Sequence, residues 1–199
     1  ITLYGAGNKT VNGLAANLNL DATNTGTTTV STASTALSIT IDAAAGNLTV
    51  DALNLAQNAN LTLSGGANGT TAQVDNLVGN LVATGLNSQL TVGLANASDN
   101  GISIATGTYT TTLNSSAEGD TVAVNAAALA DGVVLTTAGA GVFTVTNLKG
   151  DLTNTSTGSV TVDLVDAAAG GSNQTINSVS TTTINNGSVA AGDTLTLQG

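Results

Sequence analysis

Several residue types that build reactive sites are missing from this chain. It contains no His, Cys, Met, Pro or Trp, and its only aromatic side chains are Tyr4, Tyr109 and Phe143. Without His and Cys, the chain cannot carry a thiol nucleophile, a Ser-His-Asp triad, a zinc finger or a haem attachment site. The sequence therefore names no reaction, and we expect a protein that is not an enzyme.

Charged side chains are also scarce, and those present are mostly acidic. Lys9 and Lys149 are the only cations beside 12 acidic residues, which gives a formal net charge of -10. Two cations are too few to bind nucleic acid or anionic lipid. No apolar run approaches the roughly 18 residues of a membrane-spanning helix, so no membrane insertion is expected. The opening ITLYGAGNKT lacks Met and the features of a leader, which indicates a processed protein or a piece of a longer one.

The residues that are present favour β-structure. Apolar residues make up 41% of the chain and charged residues only 7%, which is unlike a disordered chain. Thr, Val and Ile favour strands, while Asn, Gly and Asp favour tight turns. Short alternating segments such as 38–41, 61–63 and 121–124 are separated by turn clusters such as 65–69. This pattern predicts an all-β chain of short strands.

Internal repeats divide the chain. The opening Ile1-Thr2-Leu3-Tyr4-Gly5 recurs in degenerate form at 61–65, 135–139 and 195–199. The first and last of the three spacings between these starts are equal, and the middle spacing is longer. We interpret the chain as one repetitive domain, 1–199, with units 1–60, 61–134 and 135–194, and with 195–199 restarting the next unit. The longer unit is expected to carry a loop insertion or part of an extra turn.

A parallel β-solenoid explains these units best. A unit such as 1–60 fits three coils of about 20 residues, and successive coils stack about 4.8 Å apart. A thin stacked core has little room for aromatic side chains, and its central strands exclude Pro. The alternative is a tandem array of small β-sandwich modules, for which units of this size and such short strands are unusual.

Aspartates spaced by about one coil are the first candidate site. Stacked carboxylates repel one another unless a cation bridges them, and calcium prefers such oxygen ligands. The other interpretation, which we favour, is that these residues cap turns by accepting backbone N–H groups. No metal, cofactor or catalytic residue is therefore assigned, and calcium stays an open question. The pairs are Asp21 with Asp42, Asp99 with Asp120, and Asp131 with Asp151.

Other candidates are weaker. Asp163 with Asp166, and Glu118 with Asp120, have the spacing of paired catalytic carboxylates, but nothing around them indicates a cleft. The Thr triplets at 27–29, 110–112 and 181–183 suggest the threonine arrays of ice-binding solenoids. The triplets are several coils apart, which does not place one T-x-T in each coil. We therefore interpret them as β-branched filling of strand faces.

Asn-x-Ser/Thr sequons are frequent in a chain so rich in Asn, Ser and Thr, and their use depends on the organism and export route. They begin at Asn8, Asn47, Asn60, Asn68, Asn96, Asn114, Asn154, Asn173 and Asn186.

The segments 61–65, 100–107, 119–131 and 145–152 resemble the β-strand repeats of giant bacterial surface and secreted proteins, of the RTX type or large adhesin type. This resemblance implies an extracellular structural or adhesive protein, often exported by type I secretion. The RTX calcium nonapeptide, GGxGxDxUx, is not matched: Gly65-Gly66-Ala67-Asn68-Gly69 has Asn68 in place of the third Gly.

We therefore expect a non-enzymatic structural protein outside the cell or on its surface, forming a filament, a sheath or an adhesin stalk. Its partners would be other copies of itself in a head-to-tail polymer, or adjacent repeats of the same chain. The alternative is a surface module that binds calcium or carbohydrate, with surface glycans as partners. A β-helical lyase or hydrolase would need basic residues beside its carboxylates, and the chain offers two cations in all.

Overall fold

The structure, a computed structural model, describes residues 1–33, 38–95, 101–164, 173–185 and 194–199. These residues form twenty short strands and no helix. Side chains point alternately to the two faces of a strand, so Leu61 and Leu63 are buried while Thr62 between them is half-buried. The alternation read from the sequence therefore becomes an inner apolar face and an outer polar face.

Successive strands alternate between two sheets. Sheet one contains the odd-numbered strands: β1 (Thr2–Leu3), β3 (Leu18–Leu20), β5 (Ile39–Asp42), β7 (Asn60–Gly65), β9 (Asn80–Leu86), β11 (Ile102–Ala105), β13 (Thr121–Asn125), β15 (Val142–Leu148), β17 (Val160–Leu164) and β19 (Thr182–Asn185). Sheet two contains the even-numbered strands: β2 (Lys9–Leu14), β4 (Thr28–Thr32), β6 (Leu48–Asp51), β8 (Thr71–Leu77), β10 (Gln89–Leu94), β12 (Thr111–Ser115), β14 (Val134–Gly139), β16 (Asp151–Asn154), β18 (Gln174–Ser178) and β20 (Leu195–Gln198).

Each coil contributes one strand to each sheet. Both sheets have ten strands in chain order, and all the strand pairs between described residues are parallel. Coil length varies: the coil that separates the register partners Leu135 and Leu152 is shorter than the one that separates Leu48 and Ala72. This is the predicted parallel β-solenoid with coils of about 20 residues. The alternative of tandem sandwiches is wrong, because sandwich sheets are antiparallel and close within one module.

The core is a thin stack of branched side chains between the two sheets. Val50, Val74 and Val92 are register partners in consecutive coils and are fully buried. Burial of each such side chain contributes roughly 1.5–3 kcal/mol, which offsets the entropy lost on ordering the coil. Phe143 is also fully buried, whereas Tyr4 is exposed. The core thus accepts a single phenylalanine, in keeping with the scarcity of aromatic residues.

The repeated sequence units do not all begin at equivalent positions of the solenoid. The starts at positions 1 and 61 belong to β1 and β7 of sheet one, and the starts at 135 and 195 belong to β14 and β20 of sheet two. The first and last spacings each advance by three strands within one sheet, so each of them spans three coils. The longer middle spacing runs from β7 to β14, so its extra length is half a coil. The division into units stays a sequence interpretation.

One corner of the first coils is lined with glycine. Gly7, Gly26 and Gly46 each lie two positions before a register partner, so they stack on one another. A Cβ atom on Gly46 would overlap the carbonyl oxygen of Gly26, and one on Gly26 would overlap the backbone of Gly7. The close approach of successive turns therefore requires glycine at the second and third of these positions.

Candidate functional site

Neither of the predicted aspartate pairs that the structure describes is stacked. Asp42 is the register partner of Asn19, so Asp21 lies two positions too far along its coil. Asp151 is the partner of Val134, and not of Asp131. The stacking considered as an alternative for these pairs does not occur. The coil between Asn19 and Asp42 is longer than the spacing of Asp21 and Asp42, and the coil between Val134 and Asp151 is shorter than the spacing of Asp131 and Asp151. Asp99 lies outside the described residues, so its pairing with Asp120 is untested.

Two other carboxylates do stack. Asp51 in β6 and Asp75 in β8 are register partners across one of the longer coils. Asp51 accepts hydrogen bonds from the Asn76 side-chain amide at 3.1 Å and from the Leu53 backbone N–H at 3.2 Å. Both carboxylate oxygens of Asp75 accept from the Gln73 side-chain amide, at 2.9 and 3.1 Å. Amide donors thus face both carboxylates, and the described residues contain no group of three or more His, Cys, Asp or Glu suited to a metal ion.

Asp21, which directly follows β3, caps a turn. The Asp21 carboxylate accepts the hydroxyl of Thr23 at 2.6 Å and the backbone N–H of the same residue at 2.9 Å. These two bonds, the hydroxyl first, hold the pKa of Asp21 below its usual range, because they favour the charged form. This arrangement is the turn cap that the sequence favoured over calcium.

A second device joins consecutive coils, and we call it the coil-to-coil cap. A polar side chain just before a strand, or at its first residue, accepts the backbone N–H of the residue stacked on it in the next coil. Asn47 accepts from Thr71 at 3.0 Å, next to the register pair Leu48 and Ala72. Such a cap satisfies an N–H that lies just outside the ladder. The same geometry links Asn8 to Thr27, Asn17 to Thr40, Ser38 to Asn60, Asn80 to Ser103 and Asp151 to Thr175.

The paired carboxylates considered for acid–base chemistry lie in different surroundings. Asp120 is only 2% exposed and accepts the Ser115 hydroxyl at 2.6 Å, whereas Glu118 is exposed. Asp163 accepts the Asn185 side-chain amide at 2.8 Å. Asp166 lies outside the described residues. Ser115 and Asp120 form a buried structural contact that the sequence did not indicate.

One inward column of sheet two changes from apolar to polar in the last coils, beside an apolar core that continues through Leu152 and Ile176. In sheet two, the inward column that holds Val92 and Leu113 continues as Thr137, Asn154 and Ser178. Asn154 is fully buried. Its carbonyl oxygen accepts from the Thr137 hydroxyl at 3.0 Å and from the N–H and hydroxyl of Ser156 at 2.9 and 2.8 Å. Its amide donates to the hydroxyls of Ser178, Ser180 and Thr182.

The Thr triplets at 27–29 and 110–112 fill strand faces as the sequence indicated, and each contributes one residue to a larger array in sheet two, whereas 181–183 lies at β19 of sheet one. In 27–29 and 110–112 the middle residue is buried and its neighbours point outward. The register then places one outward residue of every strand of sheet two in a single column, which we call the threonine column. Its members, in order, are Thr10, Thr29, Thr49, Gln73, Thr91, Thr112, Thr136, Thr153, Asn177 and Gln198.

This column is not apparent in the sequence because its members are unevenly spaced along the chain. The step from Thr136 to Thr153 crosses a short coil, and the step from Thr49 to Gln73 crosses a long one. A search at a fixed spacing, or for whole triplets, passes over single threonines whose coils differ in length.

The sequons fall into three groups. Asn154 is buried, and Asn8 and Asn47 act as coil-to-coil caps, so these side chains are engaged in the fold. Asn96 and Asn186 lie outside the described residues. The remaining sequons, at Asn60, Asn68, Asn114 and Asn173, are exposed.

Within the described ranges no helix is long and apolar enough to cross a membrane. The chain matches no protein-family model, no curated protein and no solved structure.

Proposed function

We propose that this chain is a structural segment of a surface filament, sheath or adhesin stalk, and not an enzyme. The observation that carries the proposal is the pair of ten-stranded parallel ladders. Nine spacings of about 4.8 Å give a stack of about 43 Å, in which each coil is held by the coils on either side. Such a stack lengthens by adding coils without any change in cross-section, which suits a stalk.

The two ends of the stack support lengthening by further coils. Strands β1 and β2 at one end, and β19 and β20 at the other, each have a neighbour on one side only among the described residues. An open strand edge is a template for pairing with another strand. A second copy stacked head to tail, or adjacent repeats of the same chain, would extend both ladders.

An extracellular setting is part of the proposal. The chain has no Arg, and its two Lys residues are the only sites for trypsin-like proteases. The Lys9 ammonium is held by the carbonyl oxygen of Gly7 at 2.9 Å and by Oδ1 of Asn24 at 2.8 Å. A chain with so few cleavage sites, one of them fixed by the fold, is suited to survive outside a cell.

Imaging of the purified chain by negative-stain electron microscopy tests this function. Rods of about 43 Å, or filaments in multiples of that length, are expected. Leu197→Lys places a charge on the exposed end strand β20 and should shorten filaments. Leu53→Lys is the matched control, because Leu53 is equally apolar and about half exposed but lies in a turn between β6 and β7. Compact round particles, or equal effects of both variants, would contradict the proposal.

Calcium binding is the alternative that one observation favours, namely the stacked carboxylates of Asp51 and Asp75. Thermal melting with calcium and with excess EDTA distinguishes it from the structural proposal. If calcium bridges this pair, EDTA lowers the melting temperature of the native chain, and Asp75→Asn removes that difference. If neither addition changes the melting temperature, calcium does not bridge the pair. The two carboxylates are then stabilised by their hydrogen bonds from amide N–H groups alone. A carbohydrate module has less support, since Phe143 is buried and Tyr4 is the exposed aromatic residue.

A further inference from the structure

Asn-Gly pairs are candidate sites for a covalent modification that needs no enzyme. The backbone nitrogen that follows an asparagine can attack its side-chain amide carbon, and glycine permits this close approach because it has no Cβ. The sequence has four such pairs, which begin at Asn12, Asn68, Asn100 and Asn186. The first two lie within the described residues, and the fold holds them in different ways.

Asn68 and Gly69 are the two central residues of a turn between β7 and β8, and both are exposed. The turn is closed by its outer residues: the Thr70 backbone N–H donates to the Ala67 carbonyl oxygen at 3.0 Å, and the Thr70 hydroxyl donates to the same oxygen at 2.7 Å. Gly69 has a φ of +88°, and apart from its chain neighbours no heavy atom lies within 4 Å of where its Cβ would stand. Across the described ranges the Gly69 N–H has no hydrogen-bond acceptor, so its nitrogen is available to react.

Asn12 and Gly13 lie in strand β2 instead. The flanking residues Val11 and Leu14 are both paired with β4, so the two residues form a bulge that is held at each end. The Gly13 N–H also donates to the Ser31 hydroxyl oxygen at 3.3 Å. Rotation of this peptide toward the Asn12 side chain would break that bond and disturb the pairing of β2 with β4. The fold therefore restrains the nitrogen at this pair and leaves it unrestrained at Asn68.

From this difference we infer that Asn68 is a site of spontaneous deamidation in the folded protein, with water as the co-reactant. The Gly69 nitrogen loses its proton to solvent hydroxide and forms a bond to Cγ of Asn68. The side-chain amino group takes up a proton from water and leaves as ammonia. Water then opens the succinimide ring at either of its two carbonyl carbons, which gives aspartate or isoaspartate. No oxidant or reductant is needed, and each event adds one negative charge to this corner of the coil.

The fold tolerates the product at this position. The hydrogen bonds that close the turn involve Ala67 and Thr70, and not the Asn68 side chain. Strands β7 and β8 each have a neighbour on both sides, so the site lies along the stack and does not depend on the head-to-tail contacts proposed above. The modified residue should therefore accumulate in a folded molecule and record its age.

Peptide mapping by mass spectrometry tests the inference on the whole folded chain. The protein is incubated in mildly alkaline buffer made with water that carries heavy oxygen, and is then digested with pepsin in acid, which stops the reaction. We expect the peptide with Asn68 to take up heavy oxygen at least several-fold faster than the peptide with Asn12. In urea the two rates should converge, because each asparagine is then followed by an unrestrained glycine.

Two variants make the comparison specific, and circular dichroism checks that both fold. Asn68→Gln should stop uptake in its peptide, because the longer side chain closes a ring less readily. Ser31→Ala releases the Gly13 N–H and should raise the rate at Asn12 several-fold. Equal rates at Asn12 and Asn68 in the folded chain, or no uptake at Asn68, would overturn the inference. Uptake that persists in Asn68→Gln would overturn the assignment to Asn68, and an unchanged Asn12 rate in Ser31→Ala would overturn the role given to the Ser31 hydroxyl.

Discussion

Replacement of the buried Asn154 by Ala tests the polar part of the inward column of sheet two. The substitution leaves the Thr137 hydroxyl and the Ser156 N–H without their acceptor. Each orphaned buried group costs about 1–3 kcal/mol, so we expect the free energy of unfolding to fall by about 4 kcal/mol. The hydroxyls on the donor side are not counted, because Ser178 and Ser180 keep other hydrogen-bond partners.

Urea denaturation followed by circular dichroism measures this change, provided that the slope of the unfolding free energy with urea is unaltered. Asn177→Ala is the control, since Asn177 is exposed on the neighbouring strand and should change stability by less than about 0.5 kcal/mol. In a stack held by nearest neighbours the effect is local. Amide hydrogens of β16 and β18 should therefore exchange faster, while those of β6 and β8 keep their protection. An Asn154→Ala protein as stable as the control would refute this reasoning.

Three further predictions concern the caps and the glycine corner. Asn47→Ala should lower the free energy of unfolding by about 1 kcal/mol through loss of a coil-to-coil cap. Asn114→Ala, at an exposed position, is the control and should change it little; urea denaturation measures both. Gly46→Ala should cost roughly 3 kcal/mol because of backbone overlap, whereas Gly7→Ala meets open space and should be tolerated. The Asp21 carboxyl should titrate with a pKa below that of an ordinary aspartate in a carbon-13 NMR titration. Because its pKa is lower in the folded chain, its contribution to stability is present above the unfolded pKa and is lost as the pH falls through the folded pKa.

The strands and their stacking could be predicted from the sequence, because alternation of apolar and polar residues is a local property. Segments such as 61–63 and 121–124 are short, alternate strictly and end in Gly or Asn, which leaves few arrangements other than stacked coils. The mean coil length also followed from the equal first and last spacings of similar segments, since each spans three whole coils.

The candidate sites could not be predicted to the same degree, because they depend on which residues become register partners. A turn that is longer or shorter by a few residues moves every stacked contact. For this reason Asp131 and Asp151 are not partners, whereas Asp51 and Asp75 are. Asn154 did carry a signal: with Leu152 and Ser156 it continues the inward phase of its strand, although its side chain is polar.

The direction of the hydrogen bonds between coils has a mechanical consequence. Tension between the two ends of the stack pulls along these bonds and loads the outermost strand first, so coils should peel off one after another. A coil of about 20 residues occupies about 4.8 Å of the stack but reaches about 70 Å when its chain is fully extended. Pulling on a single molecule should thus give a series of steps of about 65 Å, and a single all-or-none rupture would contradict sequential peeling. A stalk that lengthens in this way dissipates a sudden load and keeps its two ends connected.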